Sequence, residues 1–317
     1  MERKNRPIEE RKAERESKAK EAEFYNYAVV DNSMERVANF LVEPPGLFRG
    51  RGEHPRAGLL KTRLTPEDIT ISAGRDNIVP KCPVPGHSWG NVVHNDLATW
   101  LSFYKDPNLD FANVKYVYLS AASKFKGEAD KKKYEKARKL KGLIENVRED
   151  YSKKMSAESI VDKQLGCALY LIDKLALRIG NEKTEDEADT VGCCSLRIEH
   201  VSFPEQDKIT LDFLGKDSMR YHNTVTVDSQ VWECLKAFAN GKGDKEELFD
   251  RISTSSLNDY LKSFMPGLSA KVFRTFNASI TLETELNKLN ITKSSDLEDK
   301  VGMYNDANRQ VAILCNH

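Results

Sequence analysis

The chain has 317 residues, enough for one large domain or two of ordinary size. Lys plus Arg and Asp plus Glu each number 49, so the net charge is zero, which argues against a uniformly basic nucleic-acid binder but not against local segregation of charge. No signal peptide and no apolar run of membrane-spanning length is present, so a soluble intracellular chain with no membrane partner is expected.

Residues 2–23 carry almost nothing apolar. Glu14–Lys18 and Glu16–Lys20 have the favourable i,i+4 order, which predicts an exposed helix or arm over residues 1–24. Basic residues then cluster in "FRGRGEHPRAGLLKTR", which holds Arg49, Arg51 and Lys61, and again in "SKFKG" and "KKKYEKARKLK". Between these clusters Pro and Gly are frequent and short β-like runs appear in "YNYAVV", "DITISA" and "VKYVYLS". The span 25–133 therefore reads as a mixed, strand-containing lobe with long loops.

From about 130 the pattern becomes helical. "DKKKYEKARKLKGLIENVREDYSKKM" is amphipathic, and "SIVDKQLGCALYLIDKLALRIG" reads as a mostly buried helix capped at Gly180-Asn181. Residues 195–227 alternate as antiparallel strands: Ile209, Leu211 and Phe213, a turn at "GKDS", then Met219 and Tyr221. Helices follow to the end, with Pro266-Gly267 separating two of them. Over the last residues, which end in "ANRQVAILCNH", Val301, Tyr304, Asn308, Val311 and Cys315 recur at helical spacing, predicting a helix still buried where the sequence stops.

Six cysteines contain no C-x-x-C pair, and no histidines lie at metal-ligand spacing. No metal or other cofactor is expected, and Cys193-Cys194 reads as a pair of buried thiols.

The candidate chemistry lies in misplaced charge. Arg178 falls on the face of Leu171 and Leu175 in the expected helix, and Arg274 stands between Phe273 and Phe276 in another. A guanidinium in apolar surroundings either pairs with a buried carboxylate or grips an anion. Two of them suggest a shared phosphate. Lys216, beside Asp217, sits at the hairpin tip, either solvated or reaching into a groove. His317 is either a structural histidine or a proton carrier. Arg, Lys, Arg and His together describe a metal-free phosphoryl-transfer site that lacks a nucleophile.

The segments "EPPGLFRGRGEHP", "KYEKARKLK", "YLIDKLALRIGNEK", "ADTVGCCSLRIEH", "DFLGKDSMRY", "LFDR", "AKVFRTFNASITL" and "AILCNH" closely resemble the core of eukaryotic type IB DNA topoisomerases, in family order over roughly residues 24–317. The resemblance implies an α+β chain: a mainly helical catalytic domain of the tyrosine-recombinase/type IB topoisomerase fold at 134–317, preceded by the mixed lobe at 25–133, a DNA-clamp element. It implies that Arg178 and Arg274 hold the scissile phosphate, that His317 donates to a non-bridging oxygen, and that Lys216 is the general acid on the leaving 5′-oxygen. Arg51 and Asp217 would border the cleavage site. Lys115, Tyr116, Lys133, Asn181, Lys183, Thr190 and Lys271 fall at positions similar to backbone contacts of the family, and Arg49 and Lys61 are counted with them as DNA-binding.

The family's nucleophilic tyrosine lies beyond the catalytic histidine in a separate C-terminal domain, or in a small subunit where the enzyme is split. All eleven tyrosines of this chain precede His317, and none stands in that context. The expected partners are therefore duplex DNA and a Tyr-bearing C-terminal domain or small subunit. The expected activity is supercoil relaxation in the nucleus, serving replication and transcription on the chromosome without ATP or metal. The alternatives are a non-catalytic duplex-DNA-binding fragment and, more remotely, a tyrosine-type site-specific recombinase.

Overall fold

The computed structural model describes residues 7–38, 46–75, 78–105, 114–181, 183, 187–289 and 296–317, with the backbone alone at 18 and 21–25. It is a mixed helix-and-sheet chain that divides into two compact units: Met1–Arg49 with Gly58–Lys131, and Gly50–Ala57 with Lys132–His317. The expected Glu14–Lys18 pair lies partly outside the described side chains.

In the first unit, the described side chains of α1 (Ile8–Asn26) are exposed through Lys20, as their mostly charged character requires. The helix leads into a hairpin of β1 (Tyr27–Val30) and β2 (Ser33–Arg36). Asp31 and Asn32 both take positive φ there, the two-residue turn that matches strand twist. A four-stranded sheet follows in the order β4-β3-β5-β6, from β3 (Ile69–Ala73), β4 (Asn91–His94), β5 (Ser102–Lys105) and β6 (Val114–Val117). Ile71, Ala73 and Tyr104 are its buried residues. Phe103 pairs in register with Tyr116, and Trp100 packs on both rings at 5.1 and 5.9 Å. Because strand side chains alternate, Lys115 and Tyr116 point to opposite faces.

The helical stretch from 124 is two helices, α2 (Lys124–Lys141) and α3 (Ile144–Met155), parted at Gly142-Leu143. The division between the units falls within α2, between Lys131 and Lys132. The second unit is built around α4 (Ile160–Leu175), in which every residue from Gln164 to Asp173 is buried. Such a helix must satisfy its polar groups internally. Gln164 donates to Asp250 (2.8 Å) and accepts from the Arg251 amide (2.8 Å). Asp173 accepts from Arg148 Nε (2.9 Å), from Arg148 Nη2 (3.3 Å) and from the Tyr151 hydroxyl (3.1 Å). An unpaired carboxylate there would cost about 3–5 kcal/mol, so this network fixes α3 on α4. Gly166 permits the close crossing, since a Cβ would lie 2.6 Å from Tyr151 O.

A three-stranded antiparallel sheet, β7 (Val201–Glu205), β8 (Lys208–Leu214) and β9 (Arg220–Thr226), lays Ile209, Leu211 and Phe213 into the core. This is the alternation expected from the sequence. Helices α5 (Ser229–Ala239), α6 (Thr254–Phe264), α7 (Ala270–Asn287) and α8 (Leu297–Cys315) complete the unit. The four cysteines of this unit's core, Cys167, Cys193, Cys194 and Cys315, are buried free thiols.

Two expectations are corrected. Helix α4 does not run to Gly180: it stops at Leu175, where Ala176 turns left-handed (φ 49°). Arg178 therefore lies in an extended segment beyond the helix and is exposed, not on the face of Leu171 and Leu175. The stop comes from tertiary structure, because Arg274 Nη1 donates to Ala176 O at 2.8 Å. In α8, Val301 and Tyr304 are 50% and 48% exposed, and Ala307 and Cys315 are the buried residues. Residues that match a helical period need not sit on the packed face, and here that face is turned toward Ala307.

Candidate functional site

An open cleft of about 680 Å³ in the second unit brings together Arg51, Arg178, Lys216, Asp217, Arg274 and His317. Each arrives by a different local device.

The extended segment carrying Arg178 runs alongside residues 192–194. Arg178 O and Ile179 O accept from the amides of Cys193 (2.8 Å) and Cys194 (2.7 Å). The two backbones nearly touch at Gly180 and Gly192. A Cβ on Gly192 would meet the Gly180 amide and lie 2.7 Å from Arg178 O. Glycine is required by this approach, and it holds the Arg178 backbone at a fixed height.

Arg274 stands in the second turn of α7, and its planar fork bridges the C-terminal ends of α4 and α8. Nη1 donates to Ala176 O, Nη2 donates to Cys315 O, and Nη2 lies 3.2 Å from His317 Nε2. Neither Arg178 nor Arg274 has a carboxylate partner among the described residues, so the buried ion-pair alternative does not hold for either. Burial, with the neighbouring Arg178 charge, lowers the Arg274 pKa.

His317 is turned into the cleft by Asn316, which takes a left-handed conformation (φ 49°, ψ 57°) at the end of α8. The His317 amide then bonds back to Ala312 O at 3.0 Å. Its Nε2 faces both guanidiniums, 3.5 Å from Arg178 Nη2 and 3.2 Å from Arg274 Nη2. Burial and the charges of Arg274, Arg178 and Lys216 push its pKa below the ordinary 6.5. Nε2 accepts from the guanidiniums in one tautomer and presents an N–H to the cleft in the other.

Lys216 is exposed in the tight turn between β8 and β9, as expected, with Asp217 and Ser218 both at positive φ (65° and 57°). Residues 50–57 clasp that turn. Arg51 Nη1 pairs with Asp217 at 2.5 Å, and Ser218 Oγ donates to Arg51 O at 3.1 Å.

The remaining candidates lie elsewhere. Thr190 precedes the cleft residue Val191, Asn181 and Lys183 are exposed, and Lys183 sits 3.7 Å from Glu187. Lys271 is exposed in the first turn of α7, and Lys133 Nζ lies 4.5 Å over the Tyr134 ring on α2. Arg49, Lys61, Lys115 and Tyr116 belong to the first unit. Asn316, the Gly180–Gly192 crossing and the left-handed Ala176 escaped sequence reasoning. None leaves a pattern in the sequence, because each is defined by backbone conformation.

Tyr221 lines the cleft, but it is 8% exposed and stacked on Phe213 at 5.1 Å. Burial raises its pKa, the opposite of what a nucleophile needs. No cluster of three or more His, Cys, Asp or Glu suited to a metal is present among the described residues. Arg51 is paired with Asp217 at the rim, but the guanidiniums of Arg178 and Arg274, with the His317 imidazole and the Lys216 ammonium, have no carboxylate partner among the described residues and together make a receptor for a single oxyanion. Among the described residues no helix is long and apolar enough to cross a membrane.

Residues 1–119 match the family described as eukaryotic DNA topoisomerase I, DNA binding fragment, and residues 122–317 match eukaryotic DNA topoisomerase I, catalytic core. The chain is 54% identical over 294 residues to DNA topoisomerase 1 of Schizosaccharomyces pombe, covering 92% of this chain and 36% of that protein. It is 50% identical over 309 residues to DNA topoisomerase 1 beta of Arabidopsis thaliana, covering 98% and 33%. It is 47% identical over 321 residues to human DNA topoisomerase 1, covering 99% and 41%. The chain thus spans between about a third and two fifths of the length of these relatives. On these matches, which together take in nearly every residue, the chain belongs to the eukaryotic DNA topoisomerase I family.

Proposed function

We propose that these residues form the DNA-gripping and phosphoryl-transfer core of a type IB DNA topoisomerase, an isomerase acting on duplex DNA in the nucleus. The observation that carries the reading is the meeting of Arg178, Arg274 and His317 around one opening, with both guanidiniums within 3.5 Å of the same imidazole nitrogen and without a carboxylate partner among the described residues. Family membership supports the duplex as the ligand and the tyrosine-recombinase fold for the catalytic domain. The proposed organisation is a charged arm at 1–24, a DNA-clamp lobe at 25–133 and the catalytic domain at 134–317.

In the proposed step a tyrosine oxygen attacks the scissile phosphorus. The new Tyr O–P bond forms as the P–O5′ bond breaks, and the phenol proton leaves to solvent. Arg178, Arg274 and His317 hold the non-bridging oxygens as charge gathers on them, and the Lys216 ammonium gives its proton to O5′. Each oxyanion donor contributes on the order of 10²–10³ in rate. The 3′-phosphotyrosine conserves the bond energy, so religation needs neither ATP nor metal. The family resemblance points to a tyrosine supplied by a Tyr-bearing C-terminal domain or small subunit, and Tyr221, the tyrosine that lines the cleft, is buried with its pKa raised. Arg51 and Asp217 sit beside the cleavage point, and Lys133, Asn181, Lys183, Thr190 and Lys271, with Arg49, Lys61, Lys115 and Tyr116 of the other unit, contact the backbone.

A DNA-binding module without chemistry is the rival reading. A site-specific recombinase is disfavoured by the match of residues 1–119 to a DNA binding fragment. Relaxation of supercoiled plasmid in EDTA decides between the first two. The chain mixed with a Tyr-bearing C-terminal fragment should relax the plasmid, and a mixture that binds duplex DNA yet never changes linking number would leave the binding module.

A further inference from the structure

We propose that Asn316 is a positioning residue that couples the histidine-bearing end of α8 to the lysine-bearing hairpin. The proposal rests on the topoisomerase reading for its catalytic consequence. Its structural half stands on contacts alone.

Asn316 does two separable things. Its backbone closes α8: the amide bonds to Ile313 O at 3.1 Å, and the left-handed turn returns the His317 amide to Ala312 O at 3.0 Å. Asparagine tolerates that conformation better than most side chains. Its side chain reaches across the cleft, and Nδ2 donates to Arg220 O at 3.3 Å.

Arg220 is the first residue of β9, one beyond the hydrogen bond from the Gly215 amide to Met219 O (2.8 Å) that closes the Lys216 turn. The Arg220 side chain is itself held across the hairpin by Asp212, through Nε (2.8 Å) and Nη2 (2.6 Å). The amide of Asn316 thus grips the hairpin at a residue already braced by Asp212, beside a turn that carries two residues at positive φ. A lysine exposed on such a turn delivers its proton only if the turn is held at the right height over the cleft.

The test uses Asn316→Gly, which keeps the left-handed cap and removes the amide. Asn316→Asp serves beside it, keeping the shape but turning an oxygen toward the Arg220 carbonyl. Retained helix content and an unchanged melting temperature establish that both variants fold. On the chain itself, amide exchange at Gly215, Ser218 and Met219 should speed up by about tenfold in both variants, while amides of α4 stay protected.

With a Tyr-bearing fragment added, strand cleavage is compared on two substrates. One carries the natural O5′ at the cut, the other a bridging sulfur, which leaves as a thiolate and needs no general acid. Both variants should cleave the oxygen strand roughly 10–100-fold more slowly and the sulfur strand within about threefold of the parent chain, with Lys216→Ala showing the same contrast. Unchanged exchange in the turn, or equal losses on the two strands, overturns the proposal. If the parent chain cleaves neither strand, the topoisomerase reading falls, and the exchange measurement alone still decides whether Asn316 holds the hairpin.

Discussion

Arg274→Lys is the substitution that separates a charge from a clamp. The guanidinium of Arg274 holds three groups at once: Ala176 O, Cys315 O and His317 Nε2. An ammonium keeps the charge but cannot span both carbonyls in the fixed geometry of the fork. Ala176 and Cys315 are 1% and 5% exposed, so whichever carbonyl is abandoned is not rescued by bulk water. A hydrogen bond to a charged group contributes about 1.5–3 kcal/mol, and the half-exposed position of Arg274 argues for the lower part of that range. The lysine variant should therefore lose about 2 kcal/mol of unfolding free energy, read from urea denaturation followed by circular dichroism at pH 7. The loss comes from uncapping α4 and the end of α8, so it should appear in the chain alone, without DNA. A variant within about 0.5 kcal/mol of the parent would refute the clamp and leave Arg274 as a residue that meets only the ligand.

Two further outcomes follow from the same cleft. His317, whose pKa is lowered by burial and by Arg274, Arg178 and Lys216, should titrate below 6.5 in the free chain and move upward when duplex DNA brings a phosphate to it; NMR titration that places it at or above 6.5 in the free chain would contradict the electrostatics. The linked effect on stability has one sign: the contribution is present above 6.5 and is lost as pH falls toward the lowered folded value, because the unfolded chain takes up this proton first. Gly192→Ala places a Cβ against the Gly180 backbone and 2.7 Å from Arg178 O, so it should cost about 1–3 kcal/mol in thermal or urea unfolding and displace Arg178; a neutral substitution would show that the two segments part easily.

The strands that border the cleft were legible in the sequence, because Ile209, Leu211 and Phe213 alternate toward a core and "GKDS" is a turn by composition. In the first unit β1, β3 and β6 were readable from their apolar runs, while β2, β4 and β5, four residues each and partly polar, were not. The end of α4 was misread for a physical reason. Its stop is imposed by a guanidinium 98 positions away, and no local cap announces it. Arg178 and Arg274 were identifiable as anomalies of charge, while Lys216 and His317 acquired a definite role only through the family resemblance, and Arg178 proved exposed in an extended segment where a buried helical position was expected. Periodicity in α8 misassigned Val301 and Tyr304, since a sequence shows which residues share a face but not which face meets the core.

In the proposed function this chain supplies the phosphate grip and the proton, and a tyrosine outside the described residues supplies the attacking oxygen. The most direct measurement mixes the chain with a Tyr-bearing C-terminal fragment and end-labelled duplex DNA in EDTA, then resolves covalent adducts by denaturing electrophoresis. Labelled DNA should migrate with the added fragment through a 3′-phosphotyrosine link, and the chain by itself should bind the duplex without acquiring label. Label on the present chain with no fragment added would contradict the account, since one of its own tyrosines would then be the nucleophile.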